Sequence, residues 1–214
     1  EAGENLFVDF RLYNDGFAFR YRLPDVKEGE QLVAEATAFS VAEGTKRWVP
    51  MFTHNSNYEQ MFPLSTDGTS SARGARDEWA YPALFEVAEG QFMLITEADM
   101  TRDHCGSYMK NGDDRNCYKV NLAEENMTLV PNENGEWTSL WRVIIAGTLA
   151  DVVESTLVTD VSTPNKLGDV SWVEAAPASW IYWAYNHGSQ DYKLLCEYVD
   201  LAKEMTWPYT LVDA

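Results

Sequence analysis

Glu97 is the residue whose setting most calls for a chemical explanation. It follows Phe92-Met93-Leu94-Ile95, a run apolar on both faces as in a strand covered on both sides, and it continues the face of Met93 and Ile95. Bare burial of that carboxylate would cost several kcal/mol, so it must lie exposed beyond the sheet or be held by a cation or by donors. Asp99 continues the same face. Carboxylates at i and i+2 on an extended strand stand only about 7 Å apart, and no cleft is evident around these two, so they do not read as the acid pair of glycoside hydrolysis. Trp180 and Trp183 come next, because indole faces stack on the C–H faces of sugars as readily as they fill cores. Trp183 is favoured as a substrate-binding residue, being nearer the C-terminal end of its strand, where barrels and open sheets build their sites. Asp213 holds the equivalent place after the following apolar run. His54, His104 and His187 are scattered and read as surface or loop histidines; only His187 sits where a barrel site would be.

Other chemistry is excluded by absence of pattern. There is no GxGxxG, GxxxxGK[ST], GxSxG or HExxH, and Asn111-Gly112-Asp113-Asp114 lacks the spaced ligands and closing Glu of a calcium loop. Cys105, Cys117 and Cys196 show no metal-ligand spacing. Cys105 and Cys117 bracket a polar loop that a disulfide could close, and three free thiols is the equal alternative.

The elements that must position these residues are mostly strands. Leu6 to Tyr13 alternates, Asn14-Asp15-Gly16 turns the chain, and the return puts Phe17, Phe19, Tyr21 and Leu23 on one face before Pro24 ends it. Further strands are expected at 32–41, 46–49, 83–87, 92–97, 118–122, 136–145 and 155–158, separated by turns such as Asp67-Gly68 and Asn134-Gly135. Short strands, frequent turns and aromatic filling predict a large sandwich or barrel. Beyond residue 170 the pattern changes. Trp180 to Ala184 reads as a buried strand, Ser189 as an N-cap, and Tyr192, Leu195, Cys196, Val199 and Ala202 recur at helical spacing before Trp207-Pro208 and a second apolar run. Strand, helix and strand make a βαβ unit, with 164–177 as the linker before it.

Composition bounds the partners. Of 214 residues 45% are apolar and 13% aromatic, with 8 Trp, which is ample for a core and excludes disorder. Sixteen Lys and Arg against 34 Asp and Glu leave a net charge of −18. A basic groove for nucleic acid and attraction to an anionic membrane are therefore excluded, and no apolar run approaches the roughly 20 residues of a membrane span. The chain lacks an initiator Met and a leader and stops straight after an apolar run, so it is expected to be cut from a longer protein at both ends.

Six segments in order carry a resemblance. They are Phe10 to Tyr21, Leu94-Ile95-Thr96-Glu97-Ala98-Asp99, Trp141-Arg142-Val143-Ile144, Asp169-Val170-Ser171-Trp172-Val173, Ser179 to Trp183, and Trp207 to Asp213. Together they resemble the bacterial glycoside hydrolase family 97 enzymes, α-glucosidases and α-galactosidases. The resemblance implies a mainly β chain: a galactose-mutarotase-like β-super-sandwich over residues 1–174, then the first βαβ unit of a truncated (β/α)8 barrel over 175–214. It implies calcium dependence, with Glu97 as the sandwich carboxylate that helps ligate Ca²⁺, Trp183 lining the sugar subsite and Asp213 bonding sugar hydroxyls. The family's catalytic carboxylates sit on later barrel strands, so none is expected here. The parent is then expected to be an exo-acting α-glycoside hydrolase, periplasmic or secreted, taking terminal α-linked glucose or galactose from an oligosaccharide. The alternative is a non-catalytic carbohydrate-binding module.

Overall fold

The computed structural model describes residues 5–54, 61–68, 77–182, 184–185 and 188–213, and its contacts divide the chain into Glu1–Pro164 and Asn165–Ala214. The first unit contributes strands β1 (Phe7–Tyr13), β2 (Gly16–Leu23), β3 (Gln31–Leu32), β4 (Ala38–Ser40), β5 (Lys46–Trp48), β6 (Leu64–Ser65) and β7 (Glu78–Trp79). It continues with β8 (Ala83–Ala88), β9 (Gln91–Ala98), β10 (Ser107–Lys110), β11 (Cys117–Leu122), β12 (Met127–Thr128), β13 (Trp137–Thr138) and β14 (Trp141–Gly147). Helices α1 (Leu149–Glu154) and α2 (Leu157–Val161) close it.

Most strands join two sheets. The larger runs β1-β2-β14-β9-β8-β5-β6, with β13 also pairing β2, and the smaller runs β4-β11-β10-β7. The expected hairpin forms: β1 and β2 pair antiparallel from Phe7↔Arg22 to Tyr13↔Gly16, leaving Asn14-Asp15 as a two-residue loop. Gly16 begins the return strand because β14 approaches it there, and a Cβ would overlap the Ile144 carbonyl oxygen.

Strand alternation gives the large sheet two different coats. On one face Ala18, Trp141, Val143, Ile145 and Ala98 are buried under Leu157 and Val161 of α2, with Val152 of α1 beside them. On the other, Ile95 meets Val49, Trp79, Phe85, Met109 and Tyr118 between the sheets. Each fully buried side chain of this kind contributes roughly 1.5–3 kcal/mol. Val26, Met127, Leu129 and Trp137 form a third, smaller cluster.

No strand forms at 155–158: Ser155 and Thr156 are the caps between the two helices, and Leu157 and Val158 begin α2. Thr148 caps α1 in a reciprocal capping box with Asp151, satisfying two orphan amides. Leu157 and Val161, four residues apart, then place their side chains on the same stripe of α2 and bury it. The residues 32–41 expected as one strand make two short ones, β3 and β4.

The second unit, described by itself, is a βαβ arrangement. Strands β15 (Ala178–Trp180) and β16 (Tyr209–Leu211) pair in parallel, Ser179 opposite Thr210, and α3 (Tyr192–Glu204) crosses between them. The strand ends at Trp180, four residues short of expectation. The helix cap is Asp191, whose carboxylate accepts from the Lys193 and Leu194 amides, while Ser189 lies within a preceding 3-10 turn. At the other end the Trp207 amide bonds the Ala202 carbonyl and the Thr206 amide that of Lys203. This is a Schellman motif with Thr206, at φ 57°, in the position that favours glycine.

Candidate functional site

Glu97 lies near the end of β9, opposite Arg142 of β14, and that register resolves its charge. Arg142 Nη1 donates to Glu97 Oε2 at 2.7 Å, and Ser107 Oγ donates to the same oxygen at 2.7 Å. The Ser107 amide reaches Oε1 at 3.2 Å. The other side of the guanidinium grips Glu35, on the connection between β3 and β4, through Nε at 2.9 Å and Nη2 at 2.5 Å. All three charges are nearly dry: side-chain exposure is 2% for Arg142, 5% for Glu35 and 12% for Glu97. Burial pulls the Arg142 pKa down, but hydrogen bonds and charge from Glu35 reverse this and carry it above the usual guanidinium value. Nearby, the Tyr81 hydroxyl is buried, and burial pushes its pKa up to about 12 against the Arg142 charge and Ser107, which lower it.

This arrangement holds two carboxylates on one cation and leaves one negative charge over. Oxygens that accept from a guanidinium are poorly placed to donate a proton or attack a carbon, so Glu35 and Glu97 are not an acid and nucleophile pair. As a cation ligand Glu97 has Oε2 occupied by two donors, while Oε1 accepts one long bond and keeps lone-pair capacity. Calcium takes 6–8 oxygens, and no group of three His, Cys, Asp or Glu among the described residues is placed to share an ion. The described residues therefore offer one ligand and do not by themselves make a calcium site. Glu35 also lines two clefts, one of about 530 Å³ with Tyr108, Lys110, Asn121 and Glu124, the other of about 430 Å³ with Tyr21, Leu23 and Trp137.

Asp99 leaves the strand's alternation at φ 65° and accepts from the Thr163 amide at 2.7 Å. It therefore ties down the chain after α2 and does not extend the Glu97 face. Trp183 and His187 lie outside the described residues. Trp180 and Tyr182 stack at 6.4 Å between ring centres. Asp213, half-buried, follows β16 by two residues. His104 bridges Thr101 Oγ1 and the Thr138 carbonyl, and His54 pairs with Glu78 at 2.9 Å; both serve structure. All three cysteines are free, so the 105–117 loop is not closed by a bridge.

Residues 1–164 match the family profile described as Glycosyl-hydrolase 97 N-terminal. The chain belongs to glycoside hydrolase family 97. This family 97 chain is 29% identical to a protein of Streptomyces bingchenggensis named as a probable retaining alpha-galactosidase, over all of this chain and 32% of that one. It is 21% identical to a retaining alpha-galactosidase of Bacteroides thetaiotaomicron, over 82% of this chain and 30% of the relative. A solved beta-arabinopyranosidase superposes with a TM-score of 0.76 at 24% identity, covering 100% of this chain and 36% of that one. A family 97 enzyme of Pseudoalteromonas sp. strain K8 in complex with acarbose gives 0.73 at 23% identity, covering 97% and 32%. The family 97 chain thus spans about a third of the curated relatives it matches.

Arg142, Ser107 and Glu35 were not singled out by pattern. One signal was available: Arg142 interrupts Trp141 to Ile145, an otherwise apolar run, and poses the same burial problem as Glu97. Two opposite charges stranded in two apolar strands are each other's simplest solution. Glu35 sits in a segment without periodicity and gave no signal.

Proposed function

We propose that the parent of this chain is an exo-acting, retaining α-glycoside hydrolase that removes a terminal α-linked sugar from an oligosaccharide, galactose foremost and glucose second. The observation that carries this is the alignment of the entire chain with the Streptomyces protein named for retaining α-galactosidase activity. The Pseudoalteromonas structures with acarbose and panose support an oligosaccharide substrate. Residues 1–164 supply a sandwich scaffold. The βαβ unit supplies the first strand, helix and second strand of the catalytic barrel, with Trp183 lining the sugar subsite and Asp213 bonding sugar hydroxyls. The catalytic carboxylates lie beyond residue 214. Calcium enters as an ion shared with the rest of the parent, to which Glu97 offers Oε1, held in place through Oε2 by Arg142 and Ser107. The parent is periplasmic or secreted.

The test is hydrolysis of nitrophenyl α-galactoside and α-glucoside by the full-length parent, with NMR of the first-formed anomer. Release of the α-anomer is expected. Oligosaccharide binding with no turnover of either substrate would instead favour a non-catalytic carbohydrate-binding module. Calcium titration calorimetry on the parent and on Glu97→Ala should show weaker binding in the variant, and equal affinity removes Glu97 from the site.

A further inference from the structure

The charges around Arg142 are out of balance. Arg142 and Glu97 stand directly opposite on β14 and β9, and the Cβ atoms of such a cross-strand pair lie about 4.5–5.5 Å apart. The whole carboxylate is therefore within reach of the guanidinium. Out of water, a guanidinium offered one carboxylate takes it by two parallel hydrogen bonds, one to each oxygen. That neutral fork would settle both charges with the least desolvation. The cluster is built otherwise. Glu35, buried against the same guanidinium, adds a second carboxylate that charge balance does not call for. It comes from the irregular connection between β3 and β4, so strand pairing does not require it there either.

The way the donors are shared out shows what the second carboxylate does. Nε and Nη2 go to the two Glu35 oxygens at 2.9 and 2.5 Å. Nη1 divides its hydrogens between Glu97 Oε2 at 2.7 Å and Ser107 Oγ at 2.9 Å. Ser107 Oγ gives its own hydrogen to the same Oε2 at 2.7 Å. Both short bonds that Glu97 receives among the described residues therefore fall on one oxygen, and Oε1 has only the Ser107 amide at 3.2 Å. The fork of Arg142 is taken by Glu35, and Glu97 is held by one corner.

We propose that Glu35 is a positioning residue: by occupying Nε and Nη2 it denies Arg142 a two-point grip on Glu97 and so keeps Glu97 Oε1 open to a cation. Without Glu35 the pair would close on itself as a neutral fork. With it, Glu97 is fixed in orientation, one oxygen is left uncovered, and a negative charge remains over for the cation to meet. The geometric part of this inference concerns Glu35, Arg142 and Glu97 alone. That the cation is calcium rests on the reading of Glu97 proposed above.

The experiment uses the full-length parent carrying Glu35→Ala, whose space water can fill from the two clefts that Glu35 lines. A crystal structure of the variant grown with chelator is expected to show Arg142 turned onto Glu97, with a guanidinium nitrogen within about 3.2 Å of each carboxylate oxygen. Arg142 still bonded to Oε2 alone overturns the proposal. Calcium titration calorimetry gives the second readout, and affinity is expected to fall by at least about 10-fold. Glu35→Ala/Arg142→Lys should regain at least about 5-fold of that loss, because an ammonium has no fork to close. The single and double variants carry the same charge, so recovery reports the fork and not the field. A fall without recovery overturns the proposal, as does a forked Arg142 with unchanged affinity where Glu97→Ala weakens binding. If Glu97→Ala also leaves affinity unchanged, it is the calcium reading of Glu97 that fails, and the fork in the crystal structure still decides the role of Glu35. If Glu35→Ala does not fold, Glu35→Gln, which offers one acceptor in place of two, is read in the same ways.

Discussion

Arg142 shows how a single residue settles a question that its neighbours in sequence leave open. With its exposure at 2% between Glu35 and Glu97, its loss would leave two buried carboxylates without their cation, Glu97 keeping only the Ser107 donors. Arg142→Met in the parent is therefore expected to cost about 3–5 kcal/mol in urea unfolding, and a loss under about 1 kcal/mol would mean that the cluster is wetter than it looks. Tyr81 gives a pH signature. Its folded pKa of about 12 exceeds the unfolded value of about 10, so between these two the folded state holds the extra proton and stability falls as pH rises. The contribution is complete below pH of about 10 and amounts to at most about 3 kcal/mol. Tyr81→Phe should flatten that alkaline slope in unfolding midpoints measured from pH of about 9 to 12. At this scale the sequence was half legible. The burial problem at Glu97 could be read from the run before it, but its partner lies 45 residues away and only strand register brings the two together.

At the scale of elements, legibility followed the locality of the interactions. The β1–β2 hairpin is specified by alternation and its turn, and it formed where expected. Which of its faces is buried was another matter: Ala18, the small residue, is fully buried while Phe10 and Leu12 are open. Burial here is decided by which layers arrive from elsewhere, not by hydrophobicity. The strand expected at 155–158 failed because Thr156 and Val158 favour strands in isolation, whereas Leu157 and Val161 cover the core beneath as one helical stripe. Two substitutions test these elements. Gly16→Ala drives a methyl into the Ile144 carbonyl and should cost more than about 1 kcal/mol. Thr206→Gly relieves a β-branched residue held at φ 57° and should stabilise by about 1 kcal/mol. Both are read from chemical denaturation of the parent.

For the whole molecule, composition limited the partners, but assignment to family 97 needed the ordered segments and the match over residues 1–164. Residues 1–214 produced by themselves would combine two opposing colloidal tendencies. The open hairpin face favours sticking, while a net charge of −18 keeps copies apart when salt is scarce. At ionic strength of about 0.15 M the repulsion reaches only about 8 Å, so the hydrodynamic radius by dynamic light scattering should grow as salt is added. Leu12→Lys should suppress that growth, and a radius indifferent to both salt and Leu12→Lys would count against the face as the adhesive. Dispersal of the isolated chain would thus depend on the solvent's ions, and the same hairpin that edges the large sheet would set the conditions under which the chain can be kept in solution.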